Sequence, residues 1–171
     1  KLDHLAFPYV FLDATYCKVR LNGRIVSQAV VIATGVSADG RREVLGCATG
    51  DSETEAFWTE FLRGLKDRGL AGVQLVISDS HAGLTKAINA TMQGASWQRC
   101  RVHFMRNALA RVAKGEAEMV AATIRTTFAQ PGKAEVRAQL DFVAHMLTRK
   151  FPAVARLLPV AQPRLAPSAA V

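Results

Sequence analysis

Cysteine is sparse in this 171-residue chain. Its three cysteines, Cys17, Cys47 and Cys100, are odd in number and widely spaced. That pattern does not read as a disulfide framework, and a reducing cytoplasm is the default. No apolar run is long enough to span a bilayer, so neither a transmembrane helix nor a membrane partner is expected. The opening "KLDHLAFPYV" lacks the basic, then apolar, then small-residue order of a signal peptide. Negative charge is also short. Fourteen Asp and Glu face twenty-two Lys and Arg, a net charge of +8, and no acid at all follows Asp141. The excess favours a polyanionic partner, because each neutralised phosphate releases counterions. By itself it fits a basic protein that binds no nucleic acid equally well. With 50% hydrophobic and only 21% charged residues, the chain is not intrinsically disordered.

What is present changes period along the chain. Tyr9–Val19 reads as a strand, rich in aromatic and β-branched residues. Asn22-Gly23 is a hairpin signal, since both turn residues need positive φ. Arg24–Val36 follows as a second strand, and Asp39-Gly40 centres another turn. Glu43–Thr49 is a third strand, completing an antiparallel meander. "DSETEAFWTEFLRGLKDRG" then places Phe57, Phe61 and Leu65 at i, i+4 and i+8, an amphipathic helix. Ser52 and Glu55 fit a capping box, and Gly69 is placed to end the helix. Trp58, Phe57 and Phe61 read as core. "GVQLVIS" is a short apolar strand ending at Asp79. "HAGLTKAINATM" is a second helix, "SWQRCRVH" a further strand, and "FMRNALARVAKG" a third helix. Met119–Phe128 and Lys133–Lys150 are helical. "LLPVAQPRLAPSAAV" carries three prolines and reads as an unstructured tail. The order predicts an α/β fold with a mixed sheet, ribonuclease H-like in outline: three antiparallel strands, then alternating helix and strand.

Two carboxylates stand out. Asp13 sits in the middle of the first strand, where burial of an unpaired charge is costly. Asp79 ends the strand after the first helix, where open α/β sheets bind ligands. If the two strands are neighbours, the carboxylates meet, and a divalent cation between them would resolve their repulsion. The blander alternatives are an N-cap role for Asp79 and a solvent-facing edge position for Asp13. Cys100 and His103 invite a zinc reading, but a structural zinc needs four ligands and only this pair has suitable spacing, so zinc is not expected. Arg99, Arg101, Arg106 and Arg111 form a basic run, and Arg41 and Arg42 sit in a turn. Both sets suit phosphate contact or a solvated basic face. Glu116, Glu118 and Glu135 read as solvated helix positions.

Five blocks, "YVFLDATYCKVR", "GVSADGRREVLG", "GDSETEAFWTEFLRGLKDRGL", "LVISDSHAGL" and "WQRCRVHFMRN", in this order, closely resemble the core of bacterial insertion-sequence transposases of the mutator family. The likeness runs from about Leu5 to Phe151. It implies a DDE transposase with a ribonuclease H-like domain. Asp13 and Asp79 match its first two catalytic, metal-binding acids. Cys100 and His103 match a Cys-x-x-His signature near the start of an all-helical insertion. The resemblance further implies Mg²⁺ or Mn²⁺, two ions in the intact enzyme, with DNA ends and target DNA as partners. It also implies a homodimer and a cytoplasmic, nucleoid-associated place of action. It divides the chain into a partial catalytic core (5–113), part of the helical insertion (114–151) and a disordered or out-of-frame tail (152–171). The family's later block, a His-Trp pair before an Asn-Pro-Leu-Glu-Arg-like motif with the third carboxylate, is not in these residues. The expectation is therefore a truncated copy, also lacking the N-terminal end-binding region and inactive alone. Its alternative role is a DNA-binding or dimerisation remnant that modulates a full-length transposase.

Overall fold

The computed structural model describes residues 1–158, so positions 159–171 of the expected tail lie outside the described residues. The chain divides into two units, one over Lys1–Trp97 and one from Gln98 onward. The first is built on a sheet. Strands β1 (Tyr9–Leu21), β2 (Arg24–Val36) and β3 (Arg42–Gly50) form the expected meander. The β1–β2 turn is the two-residue kind that Asn22-Gly23 foretells, with φ of 48° and 78° and Leu21 opposite Arg24. Helix α1 (Glu55–Asp67), strand β4 (Leu75–Ser78), helix α2 (Ala82–Thr91) and strand β5 (Ser96–Arg99) follow.

The sheet order is β3-β2-β1-β4-β5. β1 is antiparallel to β2 and parallel to β4. This is the mixed, ribonuclease H-like arrangement that the order of elements predicts. Val10, Leu12, Val31, Ala33, Leu45 and Val76 meet Trp58, Leu62, Leu65, Leu84 and Ile88 in one core. Trp58 is fully buried there, with Phe57 and Phe61 packed edge-on against its ring.

The caps of α1 differ from the capping-box expectation. Thr54, not Ser52, is the N-cap: its Oγ1 accepts the Phe57 N–H at 3.2 Å. The C-terminal end agrees with the sequence. Gly69 has φ +107°. Its N–H reaches the Lys66 carbonyl and the Leu70 N–H reaches Leu65, the paired bonds of a glycine-terminated helix.

The second unit is helical. It contains α3 (Arg101–Leu109), a 3₁₀ turn (Lys114–Glu116), α4 (Ala117–Phe128), α5 (Lys133–Thr148) and α6 (Pro152–Ala155). Phe104, Ile124, Leu140, Val143 and Leu147 form its core. α3 contributes Phe104 and Ala108 to this core. Two expectations shift here. The strand expected through His103 stops at Arg99, and the helix begins at Arg101. Residues 152–158, expected as tail, start with a proline-led turn of helix that buries Val154 and Ala155, and Leu158 after it joins the same core; proline is tolerated in a first helical turn.

Candidate functional site

β1 and β4 run parallel with Tyr9 opposite Leu75 and Leu12 opposite Ser78. Leu12–Ser78 is the last pair. The next residue on each strand is an aspartate, Asp13 and Asp79. Adjacent strands lie about 4.8 Å apart, so the fold sets the two acids side by side where β4 ends. Asp13 does not carry the burial cost that its sequence context suggests. Val10 and Leu12 point into the core; Asp13, at the alternate position, is exposed. β1 is the third of five strands, but its pairing with β4 stops at Leu12, one residue before Asp13.

Asp79 does not cap α2. The N-cap is His81, with no side-chain cap bond. Asp79 Oδ1 instead accepts the Ser80 N–H at 2.7 Å, and Asp13 Oδ1 accepts the Ala14 N–H at 3.0 Å. The capping alternative for Asp79 is thereby removed.

Gly83, in "SDSHAGL", is a residue whose role the sequence reading missed. A Cβ there would lie 2.9 Å from the Glu55 nitrogen and 3.0 Å from the Glu53 oxygen. The start of α2 therefore packs directly on the backbone that leads into α1. Only a comparison of many sequences could have flagged it; periodicity does not.

The arginines separate into two kinds. Arg42 is exposed, and its guanidinium lies 5.9 Å from the Phe11 ring centroid. Phe11 precedes Asp13 by two residues and shares its outward side, so Arg42 stands on the face that carries Asp13. Arg41 is exposed and paired with Asp39 at 2.9 Å, and Arg106 is exposed. Arg99 is different: only 6% exposed, it packs over Phe104 at 5.1 Å. Arg101 lies 5.0 Å from the Phe128 centroid, and burial lowers its pKa. Both guanidinium groups stack on aromatic rings of the helical core.

Cys100 and His103 fall in the second unit, as the N-cap of α3 and a first-turn residue. Among the described residues no group of three or more His, Cys, Asp and Glu is placed to hold a metal. Glu116 is committed to an ion pair with Lys150.

The profile described as "Transposase, Mutator family" matches residues 1–167. The chain belongs to this family. The match runs past Phe151, beyond the extent expected from the motifs. The transposase for insertion sequence element IS1081 of Mycobacterium tuberculosis is 46% identical over 159 residues, 92% of this chain and 38% of that protein. The IS406 transposase of Burkholderia multivorans is 45% identical over 157 residues, 91% of this chain and 40% of that protein. The chain thus spans well under half the length of these curated relatives. Among solved structures, the HTLV-2 integrase catalytic core domain in complex with magnesium (dimeric form) is similar at 15% identity. That likeness covers 69% of this chain and 84% of the domain, with a TM-score of 0.34. No described helix of this mutator-family chain is long and apolar enough to cross a membrane.

Proposed function

We propose that Asp13 and Asp79 are two carboxylates of a metal-dependent phosphoryl-transfer site. In this reading the chain is part of an enzyme that cuts and joins DNA at insertion-sequence ends. The observation that carries the reading is the register of β1 and β4, which makes the two acids adjacent where the parallel ladder ends. The donor set fits the cation: Mg²⁺ takes oxygen ligands and is usually held by one or two carboxylates together with phosphate oxygens and water. Bound there, a divalent ion supplies charge neutralisation between the acids and polarises a phosphoryl oxygen.

The chain's own residues do the rest. The Ser80 N–H holds one oxygen of Asp79, which limits the rotation of that carboxylate. Asp13 lies one residue past the last β4 partner, so no strand covers it on that side. Arg42, on the same face, offers a charged fork to a backbone phosphate. Arg41 and Arg106 are exposed candidates for further phosphate contact. Membership of the mutator family and the net positive charge support DNA as the partner. A second ion, a third carboxylate and a homodimer belong to the same proposal for the whole enzyme.

The test is a Mn²⁺ titration followed by electron paramagnetic resonance, with thermal unfolding as the fold control. Asp13→Asn and Asp79→Asn are each expected to weaken binding about tenfold or more while leaving the unfolding midpoint near that of the parent. Unchanged Mn²⁺ binding in both variants would favour the non-catalytic, DNA-binding alternative.

A further inference from the structure

Ser78 closes β4 with a buried hydroxyl. Its Oγ accepts a hydrogen bond from Trp97 Nε1 at 2.8 Å and donates one to the Asp79 carbonyl at 2.9 Å. That carbonyl belongs to the same peptide unit as the Ser80 N–H, which donates to Asp79 Oδ1 at 2.7 Å. A peptide unit is planar and stiff. A hydrogen-bonded chain therefore runs from the β5 indole through the β4 hydroxyl and one rigid plane to the Asp79 carboxylate.

The directions of these bonds are fixed by chemistry. An indole N–H can only donate, and a serine hydroxyl has one proton to give. With Trp97 donating to it, Ser78 turns its single proton to the Asp79 carbonyl. In a buried setting such a bond is strengthened by low dielectric and is costly to leave unmade.

We propose that Trp97 and Ser78 are positioning residues for Asp79. They hold the 79–80 peptide so that its N–H aims the carboxylate at a bound divalent ion. This inference rests on the reading of Asp79 as a metal ligand. Loss of a group that orients a ligand from behind commonly costs about ten- to a hundredfold in metal affinity.

The chain supplies its own control. Trp58 is a second, fully buried indole whose Nε1 has no hydrogen-bond partner. Trp58→Phe and Trp97→Phe remove the same atoms, but only the latter removes a bond to Ser78. Two readouts apply to the folded chain: amide hydrogen exchange at Ser80 without metal, and Mn²⁺ affinity by electron paramagnetic resonance. Trp97→Phe and Ser78→Ala are each expected to speed Ser80 exchange and to weaken Mn²⁺ binding roughly tenfold. Trp58→Phe is expected to do neither. Parental exchange and affinity in Trp97→Phe would overturn the proposal; if Ser78→Ala does not fold, the tryptophan pair decides. Should Asp79→Asn leave Mn²⁺ binding unchanged, the metal reading fails and takes the aiming of an ion with it. Ser80 exchange then reports separately whether the hydrogen-bonded chain exists.

Discussion

Leu12 and Ser78 are the last paired residues of the parallel β1–β4 ladder, and each is followed by an aspartate. Parallel strands keep residues in step, so this one pairing brings together two acids that lie 66 positions apart, Asp13 and Asp79. The site depends on the elements that hold this register.

Gly83 touches the backbone before α1. Gly83→Ala forces a methyl group against two backbone atoms that cannot swing away. It is expected to destabilise the chain by about 1–3 kcal/mol, read from urea unfolding. A neutral or stabilising effect, as for a glycine in an open helix, would contradict the close packing.

The capping-box pattern points to Ser52 as the cap of α1, whereas the structure assigns the cap to Thr54. Thr54→Ala is expected to cost about 1 kcal/mol and Ser52→Ala no more than a few tenths. The reverse order in thermal melts would restore the capping box.

Leu140 is fully buried in the helical core. Leu140→Ala is expected to lose about 2–5 kcal/mol through lost burial and a residual cavity. Phe142, exposed on the same helix, should tolerate alanine with a much smaller change. Equal losses at the two positions would mean that the helix buries a different face.

The turn after β2 predicts an acid-sensitive element. The Ser37 hydroxyl, and after it the Arg41 charge, hold the Asp39 carboxyl below the usual aspartate range. A carboxyl with a depressed folded pKa stabilises the native state above its unfolded pKa. That contribution disappears as pH falls through the folded value. Asp39→Asn should therefore be less stable than the parent at neutral pH, and the difference should close in strong acid. A gap that persists in strong acid would show that Asp39 contributes through something other than its charge.

Much of the fold was legible because its signals are local. Asn22-Gly23 dictates its turn, Gly69 dictates the end of α1, and the apolar spacing of Phe57, Phe61 and Leu65 dictates a helix with one buried side. Asp13 and Asp79 were visible as acids in improbable places. What brings them together, the step-for-step pairing of Leu12 with Ser78, is a long-range relation that no window of sequence contains. The same holds for Trp97 and Ser78, and for Gly83 against the backbone before α1. The stacking of Arg99 over Phe104 was hidden because charge in a sequence does not reveal what a guanidinium packs on. The start of α3 was misplaced because β-type residues in "SWQRCRVH" mask a helix that begins at Arg101, with no side-chain cap to announce it. Pro152 itself hid the helical turn that it leads for a related reason. Proline argues against a helix interior, yet is favourable at its start.

The most direct test is a crystal of the chain grown or soaked with Mn²⁺, with anomalous scattering measured at the manganese edge. The account predicts a peak bridged by the carboxylates of Asp13 and Asp79 at the end of the β1–β4 ladder. Its removal in Asp13→Asn, with the strand register intact, would complete the result. Manganese bound elsewhere, or no peak between two ordered carboxylates, would contradict the assignment of this pair as the metal site.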